Sequence, residues 1–450
     1  MTPDPAIERF ITLLRIPTVS RNDPALEDRD AFAAFRAKLA ELYPLVHTKL
    51  ELELIGGEND AAASLLYRWP GQGTGRPAVL RAHHAVVPAD APGWTHPPFE
   101  PALVPGTGLP EPRIWGRGTL DDKGTLVALL EAVEGRLAAG YRPDADVYVF
   151  SGANEETAGS GAEDAVAVLT ERGVRPGLVL DEGGAVAEGA IPGVRGEVAF
   201  IGVSEKGIAG IELSVEKPGG HASTPARDGA TTRLARAIVR LESHPSRAVL
   251  SEPVAAMMRL LAPRTRGIRR RFFARPGVYR LPLLRALTRG GGEGEAMVRT
   301  TRAVTRLTGS AGDNVIAERA TAMVNVRIAV GSTVDEAAGD IRQAIADDQV
   351  TVRVVYGADP SPASPSDGPE WDRLAAVIAE VFPDALVVPY VMLQASDSRH
   401  FTRISDTVYR FLPFDLTTAE RGTLHAIDES IRVSTWRRAI VFFDRLLGVL

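Results

Sequence analysis

The amino-acid sequence predicts an α/β protein: a mostly parallel sheet with helices on both faces, interrupted by a smaller inserted α+β lid. Three observations carry this reading. Short apolar strands alternate with helices in the first 206 residues, a second and more compact pattern runs over 207–357, and the first style resumes after the Pro/Ser-rich stretch "ADPSPASPSDGPE". With 450 residues, the chain is also too long for one ordinary core. The expected organisation is a discontinuous larger domain, 1–206 with 358–450, and a lid or dimerisation domain, 207–357, with an irregular insertion at about 245–305.

The elements follow in order. "AVLRAH" (78–83) is an apolar run of strand length, "GTLVALLEAVEGRLAAG" (124–140) has helical spacing and stops at glycine, and "DVYVFSG" (146–152) reads as a strand. "AEDAVAVLTERG" (162–173) is a helix and "GLVLDEGG" (177–184) a strand, so parallel strands joined by helices are expected. In the second unit "GIELSVEK", "TAMVNVRIAV" and "VTVRVVYG" are strands, while "TTRLARAIVRLES" and "TVDEAAGDIRQAIADD" are helices. The last part supplies helix "WDRLAAVIAEVF", strands "LVVPYVML" and "DTVYRFLPF", and a long amphipathic helix from about Ser430.

Composition narrows the function. Lys plus Arg is 51 against 57 Asp plus Glu, a net charge of -6 that gives no general attraction to nucleic acid or anionic membrane, so the expected partner is a small molecule. The N-terminal stretch lacks the basic and apolar segments of a secretory signal and no run is long enough to span a bilayer, so a cytoplasmic location is expected. Zero cysteines exclude thiolate ligands and leave His and carboxylates to hold any transition metal. The exception to the acidic balance is "RTRGIRRRFFARPGVYR", a basic run with Phe272, Phe273 and Tyr279 for which binding of phosphates or a membrane surface is weighed against the favoured reading, a solvated helix face flanking a flexible glycine turn.

Five features fall at strand ends or in adjoining loops: His83, the pair Asp121 and Asp122, the pair Glu155 and Glu156, Asp181, and His425. Singly, each is more often a helix cap or a hydrogen-bonded structural residue. Together they crowd negative charge at one sheet edge, where a cation relieves the repulsion. A dinuclear site is the simplest resolution, because one carboxylate can bridge two ions, and imidazoles with carboxylates suit Zn, Co or Mn. Dinucleotide binding is disfavoured, since Asp121 stands where the third glycine of that fingerprint belongs.

At these residues the chain resembles the co-catalytic zinc peptidases and aminoacylases that include carboxypeptidase S, carboxypeptidase G, aminoacylase and succinyl-diaminopimelate desuccinylase. The matching blocks include "LLRIPTVS", "IWGRGTLDDKG", "GANEETAGSGA", "LVLDEGG", "GVSEKG", "GGHASTP", "SDSRHF" and "LHAIDESI", and they look closest to the carboxypeptidase S and N-acyl amino acid hydrolase branch. The resemblance implies two Zn2+, one held by His83, Asp121 and Asp181, the other by Asp121, Glu156 and His425. It implies Glu155 as the general base that moves a proton from water to the leaving amine, and His221 as a lid residue that reaches the site of the other subunit in a homodimer and helps hold the oxyanion. Asn314 and Arg327 match lid positions that contact substrate; Arg399 is a further candidate for a substrate carboxylate. The implied activity is hydrolysis of an N-acyl amino acid or short peptide. The alternatives are a dipeptidase, a synthase running in reverse, or an impaired member that only binds ligand.

One position departs from the family pattern. After the first ligand the family has His, any residue, Asp, and here the third position is Ala85. An aspartate there would accept the other ring N–H of His83 and raise its basicity, and losing such a partner typically costs ~10 to 100-fold in metal affinity or activity. An engineered Asp→Ala change, a naturally weak enzyme, or a water or neighbour standing in would each account for it; the otherwise complete ligand set favours the engineered change.

Overall fold

The structure is a computed structural model that describes residues 4–56, 62–89, 92–105 and 111–450. Its main sheet has eight strands in the spatial order Glu51–Ile55, Ser64–Trp69, Val147–Gly152, Ala78–His83, Leu178–Glu188, Val408–Asp415, Glu197–Glu205, Leu386–Met392. Ala78–His83 runs parallel to both neighbours, as Val408–Asp415 does to Leu178–Glu188 and Leu386–Met392 to Glu197–Glu205. Antiparallel pairs occur at the Glu51–Ile55 edge and where Glu197–Glu205 meets two neighbours. The α/β expectation thus holds, with more antiparallel pairing than the alternation suggested.

Helices cover both faces. Pro5–Leu14, Lys123–Ala138, Pro369–Val381 and Val433–Leu447 bury one apolar layer, and Gly161–Glu171 with Phe401 and Ile404 buries the other. Lys123–Ala138 is apolar nearly all round because it lies between the sheet and the terminal helix, where the Trp436 indole donates to the Gly124 carbonyl at 3.0 Å. Gly124 has to be glycine, since a Cβ there would sit 2.2 Å from the Thr119 carbonyl oxygen. That close approach fixes the loop carrying Asp121 against its helix.

The second unit is a four-stranded antiparallel sheet in the order Thr301–Thr308, Arg319–Ile328, Gly207–Glu216, Thr351–Ala358. Ala230–Ser243 and Val334–Ile345 pack on it around Ile211, Leu213, Val324 and Ile341. The stretch expected to be irregular is mostly helical, with helices Glu252–Leu261, Ile268–Ala274, Arg280–Arg289 and Gly292–Ala296. Val254, Met257, Leu261, Leu283 and Leu284 bury against Val198, Phe200, Val388 and Val391 of the main sheet. They cover the edge strand Leu386–Met392, an open hydrogen-bonding edge.

Candidate metal centre

The carboxyl ends of the central strands converge on His83. This side chain is buried, and its Nε2 lies 3.0 Å from Asp121 Oδ1, 3.5 Å from Glu182 Oε1 and 4.0 Å from Glu155 Oε2. Asp121 turns its other oxygen to His425, with Oδ2 at 2.8 Å from Nε2, and Glu156 Oε2 is 3.2 Å from the same nitrogen. His425 reaches inward from a left-handed backbone, φ 60°, a conformation histidine adopts more readily than bulkier residues. His83, Asp121, Glu155, Glu156 and His425 are therefore one constellation.

Asp181 is not brought to His83. Adjacent strand residues point to opposite sides, and here Asp181 turns to form a buried ion pair with Arg81, whose Nη2 is also 3.9 Å from Asp397. The residue that faces His83 is the next one, Glu182. Asp181 was the acid expected at this site; the side chain beside His83 is that of Glu182, and nothing in the local pattern tells which acid of the "DE" pair faces the strand end.

Ala85 takes part through its backbone. Its carbonyl oxygen lies 2.8 Å from His83 Nδ1 and accepts the ring N–H, which presents Nε2 to the carboxylates. The acceptor that an aspartate would have provided is thus supplied by a neighbouring group. His84, the other half of the pair, is stacked on Phe35 and bonded to Ser151, and burial pushes its pKa down to about 3. It is a neutral packing residue.

The electrostatics call for a cation. Burial raises Glu155 and Glu182 well above the ordinary carboxylate range, and nearby acids raise them further. Burial opposes charge on His83 too, yet Glu182 and Asp121 override it and hold the pKa well above the usual value. Hydrogen bonds to Asp121 and then Glu156 lift His425 to about 10. Among the described residues, two sets offer ligand atoms mutually within 4.8 Å: His83, Asp121, Glu156 and His83, Asp122, Glu182. Glu156 Oε1 and Asp122 Oδ1 are buried without hydrogen-bond partners. Imidazoles, carboxylates and unpartnered buried oxygens are the donor set of a borderline-hard divalent metal, so the residues fit such ions.

A pair of residues not anticipated from the sequence locks this geometry. Glu429, fully buried, is 2.5 Å from Arg117 Nη1 through Oε2, and its Oε1 accepts from the Leu120 N–H at 2.7 Å. Arg117 also donates to the Ala426 carbonyl at 3.2 Å. The Asp121 loop and the His425 loop are thereby tied together. The two charges lie 312 positions apart, and only the fold pairs them.

The second unit places its candidate residues outside this cluster. His221 is exposed on the short strand Gly220–His221, paired with Val315–Ile316 next to Asn314, whose carbonyl accepts from the Ala222 N–H. The His221 ring bonds the Ser223 hydroxyl at 2.8 Å, and it is not among the groups around His83. Arg327 is half-buried on the lid strand, and desolvation together with the nearby Arg399 guanidinium lowers its pKa. Neither arginine forms an ion pair among the described residues, so the two guanidiniums are available to an anion. Apart from Asp181, which pairs with Arg81, the groups expected from the sequence fall into a histidine and carboxylate cluster, an arginine pair and an exposed short strand.

Residues 79–448 match the profile of peptidase family M20/M25/M40. Among curated proteins, the chain is 32% identical to human N-fatty-acyl-amino acid synthase/hydrolase PM20D1, covering 96% of this chain and 85% of that protein. It is 31% identical to a probable carboxypeptidase S-like protein of Dictyostelium discoideum over 92% of this chain and 79% of that one, and 27% identical to carboxypeptidase S of Saccharomyces cerevisiae, over 97% and 82%. Among solved structures it resembles a metallo-carboxypeptidase from Sulfolobus solfataricus with a TM-score of 0.70, 18% identity and 99% of both chains covered. The structural likeness supports the fold; the sequence likeness extends over nearly the whole chain.

Proposed function

The chain belongs to peptidase family M20/M25/M40, metallohydrolases of amide bonds in peptides or N-acyl amino acids, and from that premise we propose a dinuclear hydrolase whose substrate carries a free carboxylate. His83, Asp121 and Glu182 would hold one divalent ion, and Asp121, Glu156 and His425 the other, with zinc the first candidate and cobalt or manganese compatible. When bound, such ions polarise a scissile carbonyl and lower the pKa of water. Glu155 takes the proton of the attacking water on its carboxylate and delivers it to the amide nitrogen as the C–N bond breaks. Arg327 and Arg399 orient the substrate by its carboxylate, for which a planar guanidinium is geometrically suited. His221 and Asn314, exposed on the lid strand, would complete the site of a second copy in a homodimer.

The observation that carries this reading is Asp121, whose two oxygens address two different histidines. A carboxylate placed so is a natural bridge. The test separates base from ligand: Glu155→Gln keeps metal and loses turnover, whereas Glu156→Gln loses metal. Equal metal loss in both overturns the assignment of roles. The same site run in reverse would condense an acyl group with an amino acid, and the names of the vertebrate relatives, synthase/hydrolase, favour assaying both directions.

A further inference from the structure

The helical insertion carries a charge distribution unlike the rest of the chain. Residues 264–289 contain nine arginines and no acidic residue, so the remainder of the protein carries a net -15. None of the nine forms an ion pair among the described residues; Arg264 and Arg269 donate to backbone carbonyls of Asp384 and Pro192, which anchors the base of the segment. Arg270, Arg271 and Arg275 line one cleft with Tyr279.

Apolar side chains stand among these charges. Ile268, Val278 and Leu281 are 58%, 76% and 63% exposed, and the helix that carries Leu281 buries Leu283 and Leu284 on its other side. Leu281, Arg285 and Arg289 recur at helical spacing on the outer side of Arg280–Arg289, and Ile268, Arg271 and Arg275 do so across Ile268–Ala274 and its cap. The platform is fixed to the main domain, because Leu283 and Leu284 share a core with Val388 and Val391. Lys206 adds a tie, its Nζ donating to the Ala296 and Arg299 carbonyls at 2.9 and 2.7 Å.

We propose that this face docks the protein onto an anionic lipid bilayer. Arginines attract the headgroup layer, and the exposed Val278 and Leu281 enter the acyl boundary, a combination that suits an interface and leaves apolar groups unused against a hydrated polyanion such as RNA. With a Debye length of ~10 Å at 0.1 M salt, the patch acts locally despite the overall negative charge. The exposed Ile268, Val278 and Leu281 favour a membrane surface over the solvated face expected from the sequence.

The test is flotation of the full chain with vesicles of phosphatidylcholine alone or with phosphatidylglycerol. Wild type is expected to bind only the anionic vesicles and to be released by salt. Arg270→Gln/Arg271→Gln/Arg275→Gln should lower partitioning by about 100-fold, since each arginine at such a surface contributes about five-fold. Val278→Ser/Leu281→Ser should lower it by about ten-fold with the net charge and every arginine retained. Circular dichroism of both variants should match wild type. Equal binding to both vesicle types, no loss on changing Val278 and Leu281, binding to an RNA homopolymer but not to vesicles, or variants that alter only the oligomeric state would overturn the proposal.

Discussion

Changing Asp181 to Asn and Glu182 to Gln, one at a time, should produce opposite defects. Asp181 is 3% exposed and pairs with Arg81, itself 1% exposed, so the neutral amide leaves a guanidinium buried beside only Asp397 at 3.9 Å. Breaking such a pair costs about 3–5 kcal/mol, and the remaining carboxylate should hold the loss near the lower figure. Glu182→Gln removes a carboxylate that burial already disfavours as an anion, so the metal-free protein should be no less stable than wild type. Under the proposed ligand set it also removes one ligand, so after dialysis the variant should hold one equivalent of zinc instead of two. Denaturant midpoints and metal content by mass spectrometry read both effects on the same samples. If Asp181→Asn loses metal while keeping stability and Glu182→Gln keeps both metals, the assignment of the facing acid is refuted.

Three further outcomes follow from the same geometry. Ala85→Asp should change zinc affinity by less than ~10-fold, because the Ala85 carbonyl already occupies His83 Nδ1; a ~100-fold gain by competition titration would show that the carbonyl is no substitute. Glu429→Gln should weaken metal retention by ~10 to 100-fold without touching a ligand, since the Arg117 tie between the two loops loses its charge, and unchanged retention would refute that positioning role. Stability of the metal-free protein should fall with rising pH. Glu155 and Glu182 have folded pKa values above their unfolded value of 4.5, so their contribution is present below it and lost above it; His425 adds a loss as pH rises through about 10. Denaturation midpoints at about pH 5 and about pH 9 with a chelator should differ in that direction, and zinc should reduce the difference.

The sequence made part of this site legible and hid the rest for identifiable reasons. His83, Glu155 and Glu156 were found because each follows an apolar run of strand length, and in such a sheet strand ends are where ligands bind. Asp121 and His425 were placed by motif and joined them as expected. The choice between Asp181 and Glu182 depended on which side of a strand faces the cleft, and two adjacent acids carry no local mark of that. Arg117 and Glu429 were invisible because ordinary charged residues acquire meaning only when the fold pairs them. The edge strand Glu51–Ile55 and its neighbour Ser64–Trp69 were passed over although "ELELI" alternates. The insertion's helices were missed because arginine, glycine and proline dilute their period, yet Leu283, Leu284 and Leu287 pack inward once the helix forms.

The most direct measurement is the release of free amine from an N-acyl amino acid and from its methyl ester by the zinc-loaded protein, each repeated after metal removal. The free acid should be hydrolysed only with metal present, and the ester, which gives Arg327 and Arg399 no carboxylate, should be a markedly poorer substrate. Hydrolysis that survives complete metal removal, or no hydrolysis across a panel of N-acyl amino acids and dipeptides, would contradict the proposed function.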